Sequence, residues 1–468
     1  MGSELVCKRK RLKRCRDKPI FRQRRAKFQF SDLPEDVLGT ILSKLPTKET
    51  ARTSVLSNKW KHIWTVCPKL RFDGVTMCGE DVPGTQHYTQ KFVGNVSEVL
   101  KQYHGKIVEE FEVKFEFDST LAQHLNNWVY FALSSRAKIL ALDLLPTNWG
   151  LRPDRYRFPF ELFDDESISR LQRMQLSFVS LELPSKSIGF PNLKKLDLHV
   201  LNVTRKDLQD MLSNCLNLQW LSIVRCHLGD ELKVGRPLPR LLYLHVAYCE
   251  ISKIEFSATN LQTFVYRGAW IPFYLGHALE LKEVRLYLIG KITLEFALIT
   301  LPNLLPSVQN LILHSSLSLK MPWSLGNNSK FSQLKDLQLR FLVRKEDLSN
   351  SLSLASFLSA APLIEKLEIH FSVCALPHCA DLITRLPRCR HNYLKNLSMT
   401  GFAGCTGQVE LLVHIVENAP NLEVLTVDRV TYLDNDDDYE RQSRLEAVDI
   451  ARRHLDGITS QNTSVFII

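Results

Sequence analysis

The sequence predicts an α/β fold: a small three-helix module followed by a long α/β solenoid with a parallel sheet on its concave face. Three observations lead there. A strand motif with three apolar positions recurs at near-regular spacing through most of the chain. A short segment before it, residues 31–72, carries apolar residues at helical spacing interrupted by proline. The formal charge of +10 sits wholly in the first 27 of 468 residues and leaves a neutral body to fold. That length is about three times a typical domain, so one ordinary core is not expected. With 45% hydrophobic and 24% charged residues, the composition suits a packed protein. No apolar stretch approaches the roughly 20 residues that span a bilayer, so no membrane partner is expected.

Residues 1–30 read as a basic disordered tail. Lys8, Arg9, Lys10, Arg11, Lys13 and Arg14 form a dense cluster, and a second follows at Arg22–Arg25. Such charge suits the acidic groove of a nuclear import receptor. It predicts a nuclear, or shared nuclear and cytoplasmic, location; the plainer reading is a solvated extension. The start has no apolar signal-peptide core, so secretion is not expected. Eleven cysteines, an odd and scattered set, then read as reduced thiols. The sequons at Asn95 and Asn202 read as chance matches. Beyond residue 27 the chain holds 48 basic and 48 acidic residues, which argues against a nucleic-acid-binding body.

The module comes next, over 31–74. Ser31 or Asp32 can cap a helix whose first turn holds Pro34. Val37, Leu38, Ile41, Leu42 and Leu45 fall on one side of it, and Pro46 stops it. Thr47 caps a second helix near Lys48–Val55, and a third runs near Asn58–Val66 with Trp60, Ile63 and Trp64 on one face. About forty residues cannot bury two Trp and this many Leu and Ile alone, so apolar surface is left for a partner. Residues 75–104 read as a helical connection.

Over 105–433 the pattern Leu-x-x-Leu-x-Leu recurs, with any apolar residue at the three positions. Ten clear copies begin at Leu193, Leu218, Leu241, Leu261, Leu281, Val308, Leu334, Ile364, Leu394 and Leu422. Weaker copies begin at Val108, Ala137 and Leu171. The clear copies are 20 to 30 residues apart, inside the leucine-rich-repeat range of about 20 to 29 for most of them. Each unit is a strand, apolar inward and polar outward, plus a helical or irregular return that stacks on its neighbours. Lys206–Asn214 and Gln408–Asn418 read as convex-face helices. Cys226 and Cys249 stand where this repeat uses Asn or Cys to satisfy loop backbone. Residues 434–468 read as an acidic loop and a C-terminal helical cap.

The outward strand positions Lys195, Asp197, His199, Trp220, Tyr243, His245, Arg267, Arg285, Tyr287, His314, Arg340, Lys366, Glu368 and His370 line the concave face. Aromatic residues and Arg favour a protein or peptide target held by few anchors. The central group Trp220, Tyr243, His245, Arg267, Arg285 and Tyr287 is the candidate target site. No nucleophile-elbow, zinc-protease or phosphate-loop motif occurs. Gly401, Gly404 and Gly407 read as a repeat turn. Cys374, His378, Cys379, Cys389 and His391 fit no zinc spacing. Asp434 and Asp436–Asp438 lack the pattern of a calcium loop. The sequence thus predicts no enzyme, cofactor or metal.

Leu33-Pro34-Glu35-Asp36-Val37-Leu38, Ile41-Leu42-Ser43-Lys44-Leu45-Pro46 and Ala51 to Ser57, with Trp60 and Trp64, resemble a plant-type F-box. Placed directly before leucine-rich repeats, it is similar to the plant F-box/leucine-rich-repeat proteins. The segments Leu386–His391, Leu394–Leu397, Thr400–Phe402 and Glu417–Leu425 resemble the closing repeats of that family and its FBD-containing relatives. The resemblance implies a substrate-recognition subunit of an SCF-type cullin–RING ubiquitin ligase, with the covalent chemistry in other subunits. It implies adaptor contact and local packing for Leu33, Pro34, Val37, Ile41, Leu42, Leu45, Pro46, Leu56 and Trp60. Val37, Leu38 and Trp64 are expected to serve the module's own core. The rival reading is a repeat scaffold that binds proteins outside any ligase.

Overall fold

A computed structural model describes residues 33–55, 60, 63–79, 81–151, 154–184, 189–276, 278–319, 330–342, 345–372, 383–429 and 438–468. The basic cluster from Lys8 to Arg14, Leu56, Cys374, His378, Cys379 and Asp434–Asp437 lie outside those residues.

Fifteen strands form one parallel sheet. In order they are β1 (Lys69–Asp73), β2 (Glu110–Lys114), β3 (Ile139–Asp143), β5 (Arg173–Ser177), β7 (Lys195–His199), β9 (Trp220–Val224) and β11 (Tyr243–Ala247). They continue as β13 (Thr263–Ala269), β15 (Glu283–Thr293), β16 (Asn310–Ser318), β17 (Asp336–Leu342), β18 (Lys366–Phe371), β19 (Asn396–Thr400), β20 (Val424–Asp428) and β21 (Ser464–Ile467). Every copy of the motif, clear or weak, is one of these strands. Register explains why the pattern reads so cleanly. Leu196 pairs with Leu221, Leu221 with Leu244, and Leu244 with Phe264, so equal positions stack along the array. Their inward side chains are buried in one continuous core.

The sheet is longer than the repeats predict, at both ends. Residues 69–73, assigned to the helical module, form β1 and pair with β2. Residues 75–104 are not a mere connection: the helix Gln86–Gln102 sends Tyr88, Phe92 and Val96 into the same core. At the other end the helix Asp438–Leu455 is followed by β21, which pairs with β20 and makes the cap a further repeat.

Short strands line several of the returns, and the longer returns have room for a helix as well. Where successive motifs stand 20 to 23 residues apart, the return holds a short strand: β10 (Glu231–Lys233), β12 (Lys253–Glu255) and β14 (Phe273–Tyr274) form a small convex sheet. A second such sheet joins β4 (Tyr156–Arg157), β6 (Val179–Leu181) and β8 (Asn202–Val203). At wider spacing there is room for helices, as in Arg205–Ser213, Leu294–Leu304 and Thr406–Asn418. No helix among the described residues is long and apolar enough to cross a membrane.

Polar side chains stitch repeat to repeat. Cys226 Sγ donates to the carbonyls of Leu198 and Val224, and Cys249 Sγ to those of Ile223 and Ala247, all within 3.7 Å. The Asn before a motif's first Leu plays the same part: Asn192, Asn217, Asn260 and Asn421 each donate Nδ2 to a carbonyl of the preceding repeat. The glycines of 401–407 serve a turn: Gly401 and Gly404 have φ of 65° and 71°. The buried Gln408 side chain closes that turn, accepting from Ala403 N–H and donating to Gly401 O.

His391 packs its buried ring 6.4 Å from that of His414. Among the described residues, its Nε2 has no hydrogen-bond partner. Burial, with the neighbouring His414, holds it down to about 4, whereas an unfolded chain takes the proton near pH 6.5. The folded form therefore binds fewer protons between those values. The stabilisation is complete above about pH 6.5 and is lost as pH falls towards 4, by up to about 3 kcal/mol. Urea unfolding at pH 7 and pH 4.5 is expected to show this slope, and His391→Phe is expected to flatten it. An unchanged slope in that variant would refute the assignment.

Candidate functional site

Two surfaces carry the candidate residues. The first is the N-terminal module. Its helix Glu35–Leu42 begins after Pro34, whose carbonyl accepts from Leu38 N–H. A second helix, Thr47–Arg52, follows Pro46, and Trp60, Ile63 and Trp64 lie in helical conformation beyond it. Thr47 opens the second helix from inside, and its hydroxyl instead accepts from Arg71 N–H at 2.6 Å.

The single apolar stripe predicted here is two stripes. Leu38 and Leu42, four residues apart, turn inward and pack with Trp60, Ile63 and Trp64. Val37, Ile41 and Leu45, also four apart, turn outward and are 39%, 37% and 39% exposed. A helix places neighbours in sequence about 100° apart, so two such series occupy adjoining faces. Val37 is therefore on the surface rather than in the local core. Leu42 and Trp60 are core members, with Leu33 and Ala51 packed beside them. Pro34 is exposed and Pro46 half-buried. Both tryptophans are buried without any second protein, because Val99 of the helix Gln86–Gln102 closes their cluster. The apolar excess was thus met partly by the chain's own solenoid.

The module is fastened to that solenoid through Arg71 of β1. Its guanidinium donates Nε and Nη2 to the two carboxylate oxygens of Glu110 on β2, at 2.8 and 2.9 Å, and Nη1 to Ser43 O. Burial pushes the Glu110 carboxyl up, yet the Arg71 contacts outweigh it and leave it below its ordinary value. Lys48 Nζ donates to Met77 O, and His104 N–H to Thr65 O.

The second surface is the concave face, where every outward residue predicted from the strands lies. Trp220 on β9 and Tyr243 on β11 are register partners, and their rings stack at 3.6 Å and 8°. Lys195 Nζ stands 4.3 Å from the Trp220 ring, whose Nε1 donates to Asp197. Ser222 Oγ and His245 Nδ1 lie 3.1 Å apart. Arg285 is already occupied, with Nε donating to Glu283. Lys366 pairs with Asp336 and Glu368.

A separate line runs along the C-terminal ends of the strands. Arg267 on β13 lies 4.3 Å from the Tyr287 ring and 5.8 Å from that of Tyr248. Arg225 lies 5.1 Å from Tyr248 and 5.8 Å from Trp149. Tyr287 faces His314 at 5.8 Å. Burial, and then the Arg nearby, lowers the pKa of His199, His245 and His314, so the three imidazoles are neutral at pH 7. Arg225, Tyr248 and Trp149 were missed from the sequence. Arg225 and Tyr248 each stand one place beyond a strand with φ near 53°, as Phe178 and Val200 do in the two repeats before. Non-glycine residues rarely adopt this conformation. Here it is held by a ladder bond: Arg225 N–H donates to Ala247 O, and Tyr248 N–H to Arg267 O. Alternation fails at that residue, so pattern alone does not place its side chain.

Among the described residues, no group of three or more His, Cys, Asp or Glu is placed to hold a metal. The arrangement offers contact surfaces instead: an apolar strip on the module and an aromatic and cationic lining on the sheet.

Comparison with known proteins agrees with this architecture. The family model described as At1g61320/AtMIF1, LRR domain matches residues 99–462, and the F-box domain model matches residues 30–72. The chain is similar to the F-box/FBD/LRR-repeat protein At4g00160 of Arabidopsis thaliana, 25% identical over 456 residues, 94% of this chain and 93% of that protein. It is also similar to the F-box/FBD/LRR-repeat proteins At4g26340, 25% identical over 84% of this chain and 90% of the relative, and At2g04230, 26% identical over 85% and 88%, both of Arabidopsis thaliana. F-box and leucine-rich-repeat domains together imply, in general, an adaptor of SCF type rather than a catalyst. The leucine-rich-repeat match spans well over half its length, and the chain belongs to the At1g61320/AtMIF1-type leucine-rich-repeat family, with an F-box on the N-terminal side.

Proposed function

We propose that the chain is the non-catalytic substrate-recognition subunit of an SCF-type cullin–RING ubiquitin ligase. The F-box binds a Skp-type adaptor, and the concave face holds a protein target for ubiquitination. One observation carries this reading. Val37, Ile41 and Leu45 remain exposed on a module whose own core is already closed. A strip of that kind on a helix and its following turn is the sort of surface a protein partner covers. The target is read as bound by the group around Trp220, Tyr243, His245, Arg267, Arg285 and Tyr287. The basic cluster Lys8–Arg14 is read as directing the complex to the nucleus.

Mixing the full chain with a purified Skp-type adaptor is expected to give one co-eluting species on size exclusion. Addition of cullin, RING, E1 and E2 should then support ubiquitin transfer that is lost without this chain. Two separate peaks would refute the ligase reading and leave a scaffold outside any ligase.

A further inference from the structure

We infer that the target segment held by the concave face carries oxyanions, carboxylate or phosphate, spaced about three residues apart, and that Arg225 and Arg267 receive them. The inference rests on the target-recognition reading above and adds the chemistry of the target.

Several cations in the first and second outward positions of the concave face are neutralised by neighbours: Lys195 by Asp197, Arg285 by Glu283, and Lys366 by Asp336 and Glu368. Among the described residues, neither Arg225 nor Arg267 pairs with a carboxylate. Both instead lie against aromatic rings, Arg267 between Tyr248 and Tyr287 and Arg225 between Tyr248 and Trp149. A guanidinium stacked on its faces keeps its N–H edge free, and that edge matches two oxygens of a carboxylate or phosphate. Among the described residues, Arg267 Nε is also buried without an acceptor, so they leave this cation undercompensated. The neighbouring imidazoles are neutral and do not compete for the anion.

Spacing fixes the register of the ligand. Arg225 follows β9 and Arg267 ends the corresponding part of β13, two strands along. Two strand spacings are about 10 Å, the length of about three extended residues. Stacked aromatics beside Arg would also suit a single-stranded nucleic acid. However, Asp197, Glu283, Asp336 and Glu368 line the same face and oppose a continuous polyanion. A peptide with a few anions avoids them.

The test uses the full chain and three fluorescent twelve-residue Gly/Ala/Ser peptides. One carries two aspartates three residues apart, one two phosphoserines, and one two asparagines. The aspartate or the phosphoserine peptide is expected to bind, more weakly as salt rises, with the asparagine peptide about tenfold weaker or worse. Which of the two anionic peptides binds identifies the source of the oxyanion. Arg267→Gln and Arg225→Gln are each expected to weaken binding about tenfold, and Lys253→Gln, on β12 of the separate small sheet and paired with Glu255, by less than about twofold. Arg225 is exposed, so its variant remains informative if Arg267→Gln fails to fold. Equal binding of all three peptides, full binding by both Arg variants, or tighter binding of an oligodeoxythymidylate would overturn the inference. Adaptor co-elution is measured on the same samples. Its loss counts against the ligase reading, and its retention beside failed peptide binding counts against this inference alone.

Discussion

Replacing Val37 and Ile41 together by aspartate is expected to abolish capture by a Skp-type adaptor and leave thermal unfolding unchanged. Both side chains are more than a third exposed and lie four residues apart on the helix Glu35–Leu42. Neither belongs to the cluster of Leu38, Leu42, Trp60, Ile63 and Trp64 that holds the module together. Each buried aliphatic contact at an interface contributes about 2 kcal/mol, and a charge left in its place adds a desolvation cost. The pair should therefore weaken binding by about three decades. Leu42→Ala is the contrasting case. That side chain is 1% exposed, and its truncation should destabilise the module by about 2 to 5 kcal/mol. Calorimetric titration with the adaptor and a melting curve for each variant separate the two effects. Undiminished binding by the double aspartate variant would place the contact elsewhere.

Gly407→Ala is expected to destabilise the C-terminal repeats by about 2 to 4 kcal/mol. A Cβ at that position would stand 2.4 Å from Leu348 O and 2.5 Å from Ser349 O. Both are backbone atoms of the 3-10 segment Lys345–Leu354, which lies directly against the helix Thr406–Asn418. Neither can rotate away as a side chain would. Gly94, inside the helix Gln86–Gln102, has no neighbour within 4 Å of such a Cβ. Gly94→Ala should therefore stabilise the chain, by about 0.5 to 1 kcal/mol. Urea midpoints of the two variants are expected to move in opposite directions. A Gly407→Ala midpoint equal to that of the parent would show that the segment yields freely.

The repeats were legible because their register stacks like on like. A leucine at one position predicts an apolar residue at the same position one turn of the solenoid later, as from Leu196 to Leu221 to Leu244. The terminal strands escaped because their first motif positions are Cys67 and Asn462 rather than leucine. β1 also falls inside the stretch claimed by the helical module. The sidedness of that module was hidden for another reason: five apolar residues on adjoining faces look like one broad stripe until a second surface arrives to choose between them. Val99, more than fifty residues on in sequence, makes that choice. On the concave face, strand alternation located Trp220, Tyr243 and Arg267 but not Arg225 or Tyr248, whose left-handed backbone resets the alternation.

The fastening of Arg71 to Glu110, Ser43 and Thr47 removes any swivel between the two working surfaces. On the ligase reading, the bearing of a gripped cargo relative to the docked adaptor is then built into the first turn of the array. Which lysines of that cargo come within range is decided by its own contours rather than by slack in a tether.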